Sequence, residues 1–376
     1  MIRVHVLTDP PIGQNTQAFL VPLLGNRLAL RERGIEIKCY YSANPSIYEC
    51  DVLAINNKIW PGSFENRRSE IVESLGDFAE RIDTVLFFDR SSSAGHVIPE
   101  VFPFVSKYYK TSLLRDRSSY LRPLYGGRVF AEFYHREFGI TDDIKWSYQP
   151  IASEVELGKL DISWNTSLGN YAWYGPRLTS LYARFPLRQF LTLPRIYHSP
   201  SAQRPVEVSC RMGFDYSHRT VAFQRREVAG LLKKFRRTDR ISKFAYYREL
   251  KNSKVVVSPF GYSEINYKDF ETFLCGALLV KPDMSHLETY PDLYHEGETF
   301  VAHSWVLSDL KETIEEILAD DRRRIDIARN GQDLYRWHVS TDEGRTQFVD
   351  RFLNLLGGNA SAGPSVSKLA ERSSVE

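Results

Sequence analysis

Apolar residues fall into two spacings along this chain, and the two alternate in a regular order. Ile2 to Leu7 is an apolar run of strand length. After the turn-rich stretch Thr8-Asp9-Pro10-Pro11-Ile12-Gly13-Gln14-Asn15, an apolar helical pattern continues to about Arg33 and breaks at Gly34. Ile35 to Tyr41, Asp51 to Asn56 and Asp83 to Phe88 read as further strands, and Val101 to Val105 as one more. Between them, Glu65 to Arg81 places Ile71, Val72, Leu75, Phe78 and Ala79 on one side of a helix. Strand, helix and strand in this order predict a parallel sheet with helices on both faces.

The rhythm stops between about Ile151 and Pro200, a segment rich in Trp, Tyr, Pro and Gly that reads as connection and interdomain wall. It restarts with a strand at Val206 to Cys210, then a loop from Arg211 to Arg219, a basic helix through Lys234 and a helix over Tyr246 to Lys251. The stretch from Lys254 to Thr289 carries the most information. Val255-Val256-Val257 is a buried strand, Phe270, Phe273 and Leu274 share one helical face, Gly276 stops that helix, and Ala277 to Val280 form the next strand. Glu264 in the loop and Glu271 on the helix then lie near the carboxyl end of a parallel strand, where open α/β sheets bind ligands. Such a pair of carboxylates suits the hydroxyls of a ribose or a sugar. Thr299 to Ala302 reads as a strand, and Ser308 or Asp309 caps a helix to about Leu318.

A chain of 376 residues is long for one core, which favours two domains. The pattern divides it into a first Rossmann-like domain at 1–150, a connection at 151–203 and a second Rossmann-like domain at 204–340. A last helix at 341–356 would pack across both domains or on the second, and the polar, Gly/Ser/Ala-rich tail at 357–376 is expected to be disordered. The predicted fold class is α/β, two Rossmann-like domains facing a cleft.

Net charge of +2 gives no case for nucleic-acid binding. The four cysteines show no metal-ligand spacing and imply no disulfide framework, which fits a reducing cytoplasm. No apolar span is long enough to cross a membrane, although basic helices leave a peripheral membrane contact open. Absent motifs narrow the chemistry further. Without GxGxxG, GxxxxGK[ST] or GxSxG, dinucleotide redox, P-loop phosphoryl transfer and α/β-hydrolase chemistry lose their signatures. A DxD metal-diphosphate motif is missing too, so no metal and no other cofactor is expected.

Tyr246-Tyr247, Leu250 and Ser253-Lys254, followed by Ser258-Pro259-Phe260-Gly261, resemble the donor-binding domain of GT-B glycosyltransferases. Glu271-Thr272-Phe273-Leu274-Cys275-Gly276 before an apolar strand is similar to that family's Glu-Ala-Met-Ala-x-Gly segment. The resemblance covers roughly residues 204 to 340, and the first half only in its βαβ order. It implies a glycosyltransferase that moves a sugar from a nucleotide-diphosphate sugar to a hydroxyl acceptor (glycan, lipid-linked or other), with Glu271 on the donor ribose and an earlier acid on the sugar. The family's two acids are separated by seven residues, whereas six stand between Glu264 and Glu271, which weakens the match of Glu264. A nucleotide-sugar epimerase on the same architecture and a non-catalytic glycan- or protein-binding module remain alternatives.

Strand-end positions supply the other candidates. Arg211, Gly213 and Arg219 follow the second domain's first strand, where cations and a helix N-terminus could hold a diphosphate, or simply face solvent. Lys281 and His286 follow a later strand at the same cleft edge. In the first domain, Asp89 and His96 bracket a Ser/Gly loop, where either could deprotonate an acceptor hydroxyl and Asp89 could equally cap the turn. Asp9 and Gly13 are placed to approach the transferred sugar. The run Lys233-Lys234-Phe235-Arg236-Arg237 reads as a solvated helix end or an attractor of anionic lipid or polymer.

Overall fold

In the computed structural model of the chain, residues 1–62, 64–143, 150–182, 184–191, 193–233 and 241–357 are described. The basic run beyond Lys233 and the tail from residue 358 lie outside them.

The first domain is built on strands β1 (Ile2–Leu7), β2 (Ile35–Tyr40), β3 (Val52–Asn56), β4 (Val85–Asp89) and β5 (Lys107–Lys110). A short β6 (Ser112–Leu114) leaves the sheet, and β7 (Leu160–Ile162) closes its far edge. The six-stranded order is β2-β1-β3-β4-β5-β7, with every neighbouring pair parallel. Strands β3 and β4 are buried along their whole length, as expected of a sheet covered on both faces. Helices α1 (Gln14–Gly25), α2 (Arg27–Glu32), α3 (Arg68–Arg81), α4 (Val129–Phe138) and α5 (Glu154–Leu157) accompany it, and α6 (Gly175–Tyr182) lies in the connection. The helix expected to run to Arg33 is split at Asn26, whose amide donates back to the Pro22 carbonyl at 2.8 Å. The strand expected at Val101 to Val105 is instead a 3-10 turn, Pro99–Phe104. Pro99 and Pro103 bring no N–H to a ladder, so the strand begins only at Lys107.

The second domain contains β8 (Val206–Ser209), α7 (Arg219–Leu231), α8 (Lys243–Asn252), β9 (Ser253–Val257), α9 (Tyr267–Cys275) and β10 (Leu278–Pro282). It continues through β11 (Leu287–Thr289), β12 (Val301–His303), α10 (Leu310–Ala319), α11 (Asp321–Ser340) and α12 (Asp342–Leu355). Its sheet has the order β12-β10-β9-β8, again all parallel. The 20-residue α11 has no counterpart in the sequence pattern, because charged residues dilute the buried stripe of Ile327, Ala328, Leu334 and Tyr335. Among the described residues no helix is long and apolar enough to cross a membrane.

Three features join the domains. Strand β11 pairs antiparallel with β6, so the two cores share a small ladder. Helix α12 returns to the first domain, where Phe348 packs edge-on to buried Trp164 and the Tyr109 hydroxyl donates to the Leu355 carbonyl at 2.7 Å. Asp142 of the first domain accepts from the Thr220 N–H at 2.8 Å, capping the first turn of α7 from across the boundary.

Helix α9 ends where expected, for a reason that is partly tertiary. Gly276 has φ +62°, and a β-carbon there would lie 2.0 Å from the His198 carbonyl oxygen. Gly276→Ala is therefore expected to lower stability by more than about 1 kcal/mol, the cost of the left-handed conformation alone. A urea midpoint that does not move would show that the connection at His198 yields freely.

Candidate functional site

The carboxyl ends of the two sheets meet. The loop after β4 donates the Ala94 N–H to Glu264 at 3.3 Å, and the first turn of α1 accepts the Tyr267 hydroxyl on Asn15 at 2.5 Å. Cavities open along this seam.

A cavity of about 370 Å³ lies at the ends of β8 and β9, walled by Arg211, Gly213, Arg225, Asn266, Tyr267 and Lys268 among others. Its charge is not what Arg211 alone suggests. That guanidinium is tied to Glu249, with Nη2 to Oε2 at 2.6 Å, so its charge is balanced locally. Arg225 donates Nε to the Phe260 carbonyl at 2.8 Å and lies over the Tyr216 ring, bringing a cation from α7. Lys268, in the first turn of α9, reaches the Arg211 carbonyl, and burial brings its ammonium down to about 8. Arg225 and Lys268 were missed in the sequence. Lys268 had a readable signal, since it lies three residues before Glu271 on the same helix. Arg225 had none, being one of two adjacent arginines on a helix whose buried side only packing reveals.

A second cavity of about 420 Å³ shares Ile241 and Tyr246 with the first and is lined by Gln14, Lys243, Tyr247 and Glu271. Glu271 accepts from the hydroxyls of Tyr246 at 2.9 Å and Tyr247 at 3.1 Å. Burial raises its pKa while the two phenols oppose the shift. A carboxylate has about four lone-pair sites, so two remain for hydroxyl donors in the cavity.

A third cavity, also about 370 Å³, lies between the domains, with Lys58, Trp60, His96 and Arg128 from the first and His218 and Tyr262 from the second. Thus Arg211, Gly213, Glu271 and His96 line cavities along one seam. Gly13 immediately precedes α1, next to the cavity-lining Gln14. Asp9 is half-buried and accepts from Thr16 Oγ1 at 2.6 Å, with burial raising its pKa.

The remaining candidates are placed differently. Asp89 is fully buried and accepts from Lys110 Nζ at 2.8 Å, the Tyr108 hydroxyl at 2.8 Å, Asn57 Nδ2 at 2.9 Å and the Ser91 N–H at 2.8 Å. Burial alone would raise its pKa, but the Lys110 ammonium and the hydrogen bonds hold it well below the usual carboxylate range. Such a saturated carboxylate is a structural hub and a poor base. Arg219 corrects the expectation of a cleft cation, since it forms an exposed pair with Asp143 at 2.6 Å. Lys281 is also corrected: it is fully buried, 3.1 Å from Asp269, and donates to the Glu264 carbonyl at 2.9 Å. His286 packs edge-on against Trp305, where burial lowers it to about 4, instead of reaching the cleft. Glu264 is fully buried against Ala94, with its pKa raised by burial, and faces the first domain rather than the first cavity. Among the described residues, no group of three or more His, Cys, Asp or Glu side chains could hold a metal ion.

Two Rossmann-like domains with their strand ends meeting at a ligand-sized seam are the architecture expected from the sequence. Residues 198–348 match the family described as glycosyl transferase-like, a span that takes in the whole second sheet, so the resemblance to GT-B glycosyltransferases holds. No curated protein matches the chain. Among solved structures, HepE from Anabaena in complex with UDP is similar at 11% identity and TM-score 0.44, covering 95% of this chain and 99% of that one. Sucrose-phosphate synthase from Thermosynechococcus elongatus follows at 12% identity and TM-score 0.42, with coverage of 95% and 99%. MurG from Acinetobacter baumannii is similar at 10% identity and TM-score 0.39, with coverage of 94% and 100%.

If Asp89 is a hub, Asp89→Asn leaves Lys110 buried without a counter-charge, and the fold is expected to lose about 3–5 kcal/mol. Urea unfolding measures this; unchanged stability would return Asp89 to the list of chemical groups.

Proposed function

We propose that the protein transfers a sugar from a nucleotide-diphosphate sugar to a hydroxyl acceptor, with the donor in the two adjoining cavities of the second domain. The observation that carries this reading is the pairing, on one helix, of a cation in the first cavity and an acid in the second. Lys268 and Arg225 supply positive charge for a diphosphate, and Glu271 offers its remaining lone pairs to ribose hydroxyls. These side chains carry the charge without a metal. The family match over this domain supports the same assignment.

The acceptor is placed in the third cavity, where His96 is the candidate general base and Asp89, fixed beside it, is a positioning residue. Domain closure over the donor would keep water from it. Assembly of a polysaccharide, lipid-linked glycan or glycoconjugate on the cytoplasmic side of a membrane is the setting this chemistry fits.

Thermal unfolding with UDP-, GDP-, ADP- and dTDP-sugars tests the reading. One of them, at about 100 times its dissociation constant, is expected to add about 2.7 kcal/mol. Stabilisation by none would sink the transfer assignment, and conversion of a donor sugar without acceptor would favour an epimerase. Glu271→Ala is expected to weaken that donor about ten- to a hundredfold, the worth of hydrogen bonds to a charged group.

Protonation gives an independent check. Burial lowers Lys268 to about 8 in the free protein, so the site carries its full charge below that pH and loses it above. Donor affinity should hold below about pH 8 and fall as pH rises, by up to tenfold per unit, while Lys268→Met binds weakly with a flat profile. A wild-type affinity that is flat from pH 7 to 9.5 would remove Lys268 from the diphosphate site.

A further inference from the structure

The charge of the interdomain cavity is left unexplained by sugar transfer to a neutral hydroxyl. No Asp or Glu is among the described residues of its wall. Asp89 and Asp9 lie near enough to act on Lys58, and Glu264 on Arg128, but none of the three hydrogen-bonds to either cation. Asp89 is saturated by its donors, and Asp142 is held by the Thr220 N–H at 2.8 Å and His218 Nδ1 at 3.2 Å. Glu264 is buried behind the Ala94 N–H.

Two cations on this wall keep unused donors. The Lys58 backbone N–H binds Asn56 Oδ1 at 3.1 Å, but its half-buried ammonium has no hydrogen-bond or ion-pair partner among the described residues. Arg128 is 7% exposed and donates Nε to the Tyr262 carbonyl at 3.0 Å and Nη1 to the Gly126 carbonyl at 2.8 Å. Its third nitrogen, Nη2, has no partner among the described residues. Cations removed from water without a hydrogen-bonded counter-charge are costly, and an incoming anion relieves that cost. Trp60 and Tyr262 add flat apolar faces to the same wall.

The donor phosphates have a different location. Arg225 of the first cavity lies over the Tyr216 ring at 4.6 Å, Tyr216 meets Tyr262 edge-on at 4.8 Å, and Arg128 lies over the other ring at 5.7 Å. The two tyrosines thus stand between one basic cavity and the other. We propose that the interdomain cavity is a subsite for a sugar bearing a carboxylate or phosphate, with Lys58 and Arg128 receiving the negative charge. That this sugar is the acceptor rests on the transfer reading; the preference for an anion does not. Specificity then follows from the unused donors, since a neutral sugar offers neither cation a charged acceptor.

Calorimetric titration of the nucleotide-free protein with methyl glucoside, methyl glucuronide and glucose 6-phosphate tests this. One or both anionic sugars should bind at least tenfold more tightly than the neutral one, and the two anionic arms separate carboxylate from phosphate. Lys58→Gln should abolish the advantage and Lys58→Arg should restore it, with thermal stability and the affinity for the stabilising nucleotide sugar unchanged in both. Equal binding of all three sugars, or no binding of either anionic sugar at millimolar concentration, overturns the proposal. A loss of nucleotide-sugar affinity in Lys58→Gln also overturns it, by assigning the cavity to donor phosphates. Anionic-sugar binding without any nucleotide binding would leave the subsite standing and remove the transfer reading alone.

Discussion

Each domain places a fully buried lysine–aspartate pair at the carboxyl end of its sheet, and the seam depends on both. In the first, Asp89 ends β4 beside Lys110 at the end of β5, where strand register sets them opposite one another. In the second, Lys281 on β10 meets Asp269 on α9, and Asp269 also accepts from Ser258 at 2.6 Å, Tyr294 at 2.9 Å and the Asn266 N–H at 3.1 Å. Asp269 thereby fastens the start of α9 to the ends of β9 and β10. Lys268 and Glu271 flank it on that helix and inherit its position. Buried pairs of this kind add little net stability, but losing one partner is expensive. Their value here is geometric.

The cleft is fixed by polar contacts that neither domain could make alone. Asp142 caps α7 from the other side of the boundary, and Ala94 donates to Glu264. Around these run the β6–β11 ladder and the return of α12. Buried atoms without partners remain at the seam all the same, among them Glu264 Oε1 and Arg90 Nε and Nη2. Lys58 and Arg128 differ from these in lining a cavity, where a ligand can reach their unused donors.

Much of the alternation of strand and helix was legible, because a parallel strand buried on both faces must be apolar throughout. The β9–α9–β10 unit could be read almost residue by residue. Elements whose buried stripe is narrow or interrupted could not. Helix α11 presents a few apolar positions among arginines and aspartates, and the turn at Pro99–Phe104 has strand-like apolar content without ladder donors. At the site, position along the chain pointed to strand ends that line cavities but not to which way a side chain turned. Arg219 and Arg211 belong to the same loop region, yet one pairs with Asp143 at the surface and the other lines a cavity beside Glu249.

The sequence by itself determined the parallel sheets, their division into two domains, the helix carrying Glu271, and a likeness to the donor-binding half of GT-B glycosyltransferases. Those features follow from local periodicity and short-range spacing. Only the tertiary structure decided which charges are available. Whether a carboxylate or ammonium is saturated, as in Asp89 and Lys281, or left with free donors, as in Lys58 and Arg128, depends on partners tens to hundreds of residues away. Desolvation acts on the assembled surroundings of a group, and no stretch of sequence contains them.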